Sequence, residues 1–82
     1  MKNVKAGLKV LIIDDETEIC YLLTKILKGK GVECYSVYSL SEAKSFLNTF
    51  SPSVIFLDNH LPDGLGIDFL GYLRLNYPEI KV

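Results

Sequence analysis

Short apolar segments alternate with amphipathic helical segments along this chain. Leu8–Ile13, which is interrupted only by Lys9, and Val54–Leu57 are apolar runs, a pattern typical of strands that are buried on both faces of a parallel sheet. Val32–Val37 mixes apolar and polar residues, which suits a strand at the edge of a sheet. Ile80–Val82 predicts the start of a fourth strand. This alternation constrains the fold strongly, because helices must cover both faces of such a sheet.

Three segments between the strands carry signals of helices. The first has apolar residues at i, i+3, i+4, i+7 and i+8, which predicts one apolar face: Ile19, Leu22, Leu23, Ile26 and Leu27. Asp15 and Glu18 have the spacing of a capping arrangement at its start. Ser39 and Glu42 form a capping box at the start of the second helix. After a loop rich in Pro and Gly, the third helix is predicted over Ile67–Leu75.

Strands that alternate with helices indicate an α/β fold with a parallel sheet and right-handed crossovers. The first and third strands are the most apolar and are therefore expected to be central neighbours, whereas the half-polar second strand takes the edge. We therefore predict a doubly wound sheet with the strand order 2-1-3-(4). Because the chain has 82 residues, we expect residues 1–82 to form a single domain.

Acidic residues follow the two strands that are predicted to be central. Asp14 and Asp15 end the first strand, and Asp58 ends the third. The carboxyl ends of parallel strands meet at one edge of the sheet, and ligands bind there, at the point where the strand order reverses. Three carboxylates that converge favour a hard divalent cation, above all Mg²⁺. Taken singly, an Asp at a strand end is more often a turn former or a helix cap.

The composition excludes several classes of function. The chain has 9 Lys and Arg against 10 Asp and Glu, a net charge of −1, so it lacks the basic surplus of a nucleic-acid interface. No apolar run in the sequence approaches the roughly 18 residues of a membrane span, and we expect a cytoplasmic protein that binds neither membrane nor nucleic acid through this chain. Cys20 and Cys34 lack metal-type spacing and are expected to be ordinary buried thiols.

Two segments resemble the receiver domain of two-component response regulators. They are "KVLIIDDE" and "SVIFLDNHLPDGLG". The family pattern is an apolar strand that ends in paired acids, then an apolar strand that ends in the phosphorylated Asp. A Pro follows this Asp after four residues and a Gly after eight, which matches Asp58, Pro62 and Gly66.

The resemblance implies roles for individual residues. Asp58 would be the phosphoacceptor, and the donor would be a phosphohistidine on a partner histidine kinase or phosphotransfer protein. Asp15 would be a direct Mg²⁺ ligand, Asp14 would assist through water, and Asp58 and the backbone carbonyl of His60 would complete the metal site. The imidazole of His60 has no role in this family.

The resemblance also implies a flavodoxin-like fold of five strands in the order 2-1-3-4-5. In that family a Ser or Thr follows strand 4 and a Lys follows strand 5, and both contact the phosphoryl group. By this resemblance we expect the sequence to cover the N-terminal part of such a domain, truncated before strands 4 and 5 are complete. We therefore expect self-association through the open edge beside strands 3 and 4.

The sequence is compatible with three functions. The first is a phosphoacceptor receiver domain, which is a signalling module and not an enzyme. The second is a truncated or degenerate receiver that acts only as an assembly fragment, because the family's Ser or Thr and Lys are not in the sequence. The third is a phosphatase of the haloacid-dehalogenase type, whose D-x-D-x-T motif corresponds to Asp14–Thr17 with some changes. Glu16 breaks that motif, so this alternative is remote.

Overall fold

The structure is a computed structural model that describes residues 7–82. Residues 1–6 of the predicted domain lie outside the described residues. In chain order the elements are β1 (Lys9–Ile13), α1 (Thr17–Lys28), β2 (Glu33–Val37), α2 (Leu40–Thr49), β3 (Val54–Leu57), β4 (His60–Leu61), β5 (Gly64–Leu65) and α3 (Gly66–Asn76).

The main sheet is parallel and has the order β2-β1-β3. Ile13, the last residue of β1, pairs with Val37 on one side and with Leu57 on the other. A parallel bridge joins Val54 to Lys81 on the far side of β3, so the predicted fourth strand begins beside β3. The α/β fold and the predicted order 2-1-3-(4) are confirmed.

The two faces of the sheet have separate cores, because successive side chains of a strand point to opposite faces. Leu11 and Ile13 of β1 belong to the larger core, with residues of α2 and α3 such as Leu47 and Leu73. Val10 and Ile12 belong to the smaller core on the side of α1. The helices therefore cover both faces of the sheet, as a doubly wound fold requires.

The apolar face predicted for α1 is only partly buried. Cys20 is the buried residue of this helix, and Leu23 and Leu27 pack beside it. Ile19, Leu22 and Ile26 are instead 38%, 55% and 57% exposed. The smaller core thus includes the side of α1 that carries Cys20, Leu23 and Leu27. The other side of the apolar stripe faces solvent.

A short hairpin replaces the irregular loop that the sequence predicts after β3. His60 of β4 pairs with Leu65 of β5, and Leu61 pairs with Gly64, in antiparallel register. Pro62 and Asp63 form the turn between them. Leu61 is buried in the larger core, which anchors the hairpin to the domain. Residues 60–65 are called the acceptor hairpin below, because they follow the candidate acceptor Asp58.

Candidate functional site

The predicted acids follow paired strand ends. Ile13 and Leu57 are register partners in β1 and β3, so the next residues, Asp14 and Asp58, leave the sheet side by side. The N–H of Asp58 donates to the carbonyl of Ile13 at 2.9 Å, and the N–H of Asp14 donates to the carbonyl of Val37 at 3.1 Å. Backbone hydrogen bonds thus continue one residue beyond the strands and position both acids at the carboxyl edge.

The structure brings the three predicted acids together. One carboxylate oxygen from each of Asp14, Asp15 and Asp58 lies within 4.8 Å of the other two. Asp14 and Asp58 are half-buried, and Asp15 is exposed. Two oxygens on one Mg²⁺ ion lie at most about 4.2 Å apart, because each metal–oxygen distance is about 2.1 Å. The cluster is therefore close to the size of a single ion, and its all-oxygen donor set fits Mg²⁺.

Asp14, and not Asp15, supports the start of α1. The Oδ1 atom of Asp14 accepts the backbone N–H of Glu16 at 2.9 Å. The N-cap position of α1 is Glu16, one residue later than the predicted capping arrangement of Asp15 and Glu18 requires. That arrangement was wrong, because the chain leaves β1 through a tight turn that directs the Asp14 carboxylate to the next free backbone N–H.

Cys20 also contacts the turn that follows β1. Its thiol donates to the backbone carbonyl of Asp14 at 3.4 Å, and its side chain is 3% exposed. Burial raises the pKa of the Cys20 thiol, which keeps the donor protonated. Sequence reasoning placed Cys20 among ordinary buried thiols and missed this contact, since nothing in the spacing links it to Asp14.

The residue after Asp58 attaches the site to α3. The carbonyl of Asn59 accepts the N–H of Gly66 at 2.7 Å, and its Oδ1 atom accepts the N–H of Ile67 at 3.0 Å. Gly66 is buried, and a Cβ atom added there would overlap the carbonyl oxygen of Asp58. The first turn of α3 therefore packs directly on the backbone of the candidate acceptor.

His60 lies two residues beyond Asp58 as the first residue of β4. Its side chain is exposed. The position of its carbonyl as a metal ligand remains a prediction.

The tip of the acceptor hairpin is attached to α2. The N–H of Leu40 donates to Oδ1 of Asp63 at 2.8 Å, and the N–H of Ser41 donates to Oδ2 at 2.9 Å. These hydrogen bonds lower the pKa of the Asp63 carboxyl group. Sequence reasoning missed Asp63 as a partner of α2, because the two segments are more than twenty residues apart in the chain.

Comparison with known proteins identifies the family of this chain. Residues 10–82 match the family described as the response regulator receiver domain. The chain belongs to this family. The match favours the receiver over the phosphatase alternative, and the flavodoxin-like fold is confirmed. Receiver domains are signalling modules of two-component systems.

Individual relatives agree with the family assignment. The receiver domain is 38% identical over 65 residues to the KDP operon transcriptional regulatory protein KdpE of Escherichia coli, covering 79% of this chain and 29% of the relative. It superposes on the response regulator TrrA of Thermotoga maritima, solved in complex with Mg²⁺-BeF, with a TM-score of 0.80 and 26% identity, covering 85% and 61% of the two chains. The beryllofluoride-activated NtrC4 receiver domain dimer gives a TM-score of 0.83 and 33% identity, covering 88% and 60%.

The receiver domain spans about a third or less of the length of the curated relatives it matches. Among residues 7–82, no helix combines the length and the apolar character that are needed to cross a bilayer.

Proposed function

We propose that residues 1–82 belong to one receiver domain that accepts a phosphoryl group on Asp58 from the phosphohistidine of a partner kinase or phosphotransfer protein. One observation carries the proposal. In a chain of this family, the carboxylates of Asp14, Asp15 and Asp58 converge within 4.8 Å at the point where the order of the parallel strands reverses.

Asp58 is the acceptor that the geometry favours. Its N–H is hydrogen-bonded to the carbonyl of Ile13, and its carbonyl packs against the first turn of α3. The backbone from which the carboxylate extends is therefore fixed in position. Asp14 already accepts a backbone N–H with one oxygen, which suits an orienting role. A carboxylate that leaves the end of a strand in a fixed direction can act as a nucleophile toward phosphorus.

The reaction exchanges one bond at phosphorus for another. An oxygen of Asp58 attacks the phosphorus atom, the P–N bond of the phosphohistidine breaks, and the departing imidazole nitrogen keeps the electron pair and takes up a proton. Asp15, Asp58 and the His60 carbonyl are the proposed direct ligands of Mg²⁺, and Asp14 is proposed to act through water. When bound, Mg²⁺ supplies positive charge that offsets the negative charge of the phosphoryl oxygens and the carboxylates.

We also propose that the 82-residue chain self-associates beside β3. On its side away from β1, β3 pairs through the isolated bridge from Val54 to Lys81. Phe56 and Ile67, on the same side, are 40% and 67% exposed and line an apolar groove between β3 and α3. Apolar side chains next to a strand edge favour pairing with a second copy.

The first experiment is a ligand titration of the 82-residue chain. Its melting temperature and its mass in solution are measured with and without Mg²⁺ and beryllofluoride, a mimic of the phosphoryl group. A working site is expected to respond to both ligands, and Asp58→Ala to lose the response to beryllofluoride. The mass by light scattering tests the proposed association separately.

Direct phosphorylation is the second experiment. Phosphoramidate has the same P–N bond as phosphohistidine, and intact-mass spectrometry would detect one added phosphoryl group on the wild type and none on Asp58→Asn. If neither ligand changes the melting temperature or the mass in solution, and phosphoramidate adds no phosphoryl group, phosphoacceptance is refuted. The assembly fragment would then be the better description.

A further inference from the structure

The acceptor hairpin is attached to two different helices. Immediately before it, Asn59 receives hydrogen bonds from the first turn of α3. At its tip, Asp63 receives hydrogen bonds from the first two residues of α2. The segment that carries His60 therefore lies between two fixed points, one of which is set by a single side chain.

The contact at the tip is a complete helix cap. Both oxygens of Asp63 are used, one by the N–H of Leu40 and one by that of Ser41. The next N–H, of Glu42, donates to the hydroxyl of Ser39 at 3.2 Å. The first N–H groups of a helix have no partner within the helix. Asp63 therefore supplies acceptors for the two N–H groups of α2 that the hydroxyl of Ser39 does not reach. Its negative charge also suits the positive end of the helix dipole.

The backbone of the turn is shaped for this contact. Gly64, which follows Asp63, has φ of 155°, and a Cβ atom added there would lie 2.8 Å from Cδ1 of Leu40. The turn thus approaches the first residue of α2 closely. Only Leu61 and Pro62 separate Asp63 from His60, so a shift at the tip has a short stretch of backbone to cross before it reaches His60.

We propose that Asp63 is a positioning residue of the phosphoacceptor site, which holds the acceptor hairpin against the N-terminus of α2 so that the His60 carbonyl faces the acidic cluster. The metal consequence rests on the function proposed above. Asp63 is neither a proposed ligand of Mg²⁺ nor the proposed acceptor. It acts on the site by fixing the backbone that supplies one ligand.

Two variants separate positioning from plain stabilisation. Asp63→Ala removes the cap that joins α2 to the acceptor hairpin. Ser39→Ala removes a cap from the same helix end without touching the hairpin, and both are expected to lower the melting temperature. Only Asp63→Ala is expected to weaken Mg²⁺ binding, by about tenfold, the low end of what loss of an outer-shell group costs. Asp63→Asn keeps one acceptor oxygen and is expected to lie between wild type and Asp63→Ala.

A second readout does not depend on the metal. Amide hydrogen exchange of β4 and β5 in the metal-free protein reports local opening of the hairpin. It is expected to be about tenfold faster in Asp63→Ala and unchanged in Ser39→Ala.

The outcomes are distinguishable. If the wild type binds Mg²⁺ and Asp63→Ala binds it equally well, or if Ser39→Ala weakens binding as much, the positioning role is refuted and the proposed function stands. If the wild type binds no Mg²⁺, the proposed function is refuted together with the metal part of this inference. Unchanged exchange of the hairpin in Asp63→Ala refutes the attachment itself.

Discussion

The substitution Gly66→Ala tests how tightly α3 packs on the candidate acceptor. Gly66 is the first residue of α3, and its backbone lies against that of Asp58. A Cβ atom built at this position overlaps the Asp58 carbonyl oxygen, and it lies 3.0 Å from the carbonyl carbon of Asp58 and 3.1 Å from Cα of Asn59. All three neighbours are backbone atoms, so no side-chain rotation can relieve the contact.

The magnitude follows from these neighbours. Overpacking of a well-packed site costs about 1–3 kcal/mol, and an overlap with backbone belongs at the upper end, about 3 kcal/mol. Replacing Gly reduces the conformational entropy of the unfolded chain, which stabilises the folded state by roughly 0.4–1 kcal/mol. The net loss is therefore about 2 kcal/mol, which lowers the melting temperature of a domain of this size on the order of 10 °C.

Gly71→Ala is the matched control in the same helix. Gly71 is exposed in the interior of α3, and a Cβ atom there meets nothing within 4 Å. The helix propensity of Ala then dominates, so this variant is expected to be more stable by about 1 kcal/mol. Urea denaturation of the wild type and the two variants gives all three free energies of unfolding.

Opposite signs for the two variants would support the packing argument. If Gly66→Ala were as stable as the wild type, the close approach of α3 to Asp58 would be wrong. If Gly71→Ala lost stability as well, the loss at Gly66 could not be assigned to the acceptor backbone. Mg²⁺ affinity measured on Gly66→Ala adds a second check, since displacement of the Asp58 backbone is expected to weaken it.

Three further predictions concern other parts of the domain. Leu73→Ala is expected to cost about 3 kcal/mol in urea denaturation, because Leu73 is 1% exposed, whereas Leu75→Ala, at an 82% exposed position, is expected to change stability by less than about 0.5 kcal/mol. Asn59→Ala removes the side-chain acceptor of the Ile67 N–H and is expected to cost about 1 kcal/mol; no change by the same assay would contradict the attachment of α3. The pKa of Asp63 is lowered in the folded state by its hydrogen bonds to α2, so its contribution is present above the unfolded pKa of about 3.9 and is lost as the pH falls through the folded value. The difference in melting temperature between wild type and Asp63→Asn is therefore expected to be constant from about pH 5 to 7 and to shrink below about pH 4, and a difference that grows on acidification would refute this assignment.

Sequence patterns predicted the sheet and the acidic cluster because both depend on local rules. The apolar runs around Leu11 and Ile55 indicate buried parallel strands, and the half-polar strand around Tyr35 indicates an edge. Once the order was set, the rule that parallel strands end on one edge placed Asp14 and Asp58 together. None of these steps needs the orientation of a side chain.

The burial of α1 could not be predicted in the same way. Its apolar stripe includes Ile19, Leu22 and Ile26, yet these three are exposed, and the smaller core contains Cys20 together with Leu23 and Leu27. Hydrophobic periodicity marks an apolar stripe that is about 100° wide or more. Which flank is buried depends on how the helix is rotated against the sheet.

By itself, then, the sequence determined the α/β fold, the strand order and which acids meet at the carboxyl edge. Only the tertiary structure decided that Asp14 supports the start of α1, and that Asn59 and Asp63 attach the acceptor hairpin to α3 and α2. The physical reason is the range of the interactions. The burial and the ends of a strand can be predicted from residues that are adjacent in the chain. The capping of a helix by a carboxylate more than twenty residues away depends instead on where packing places the two segments.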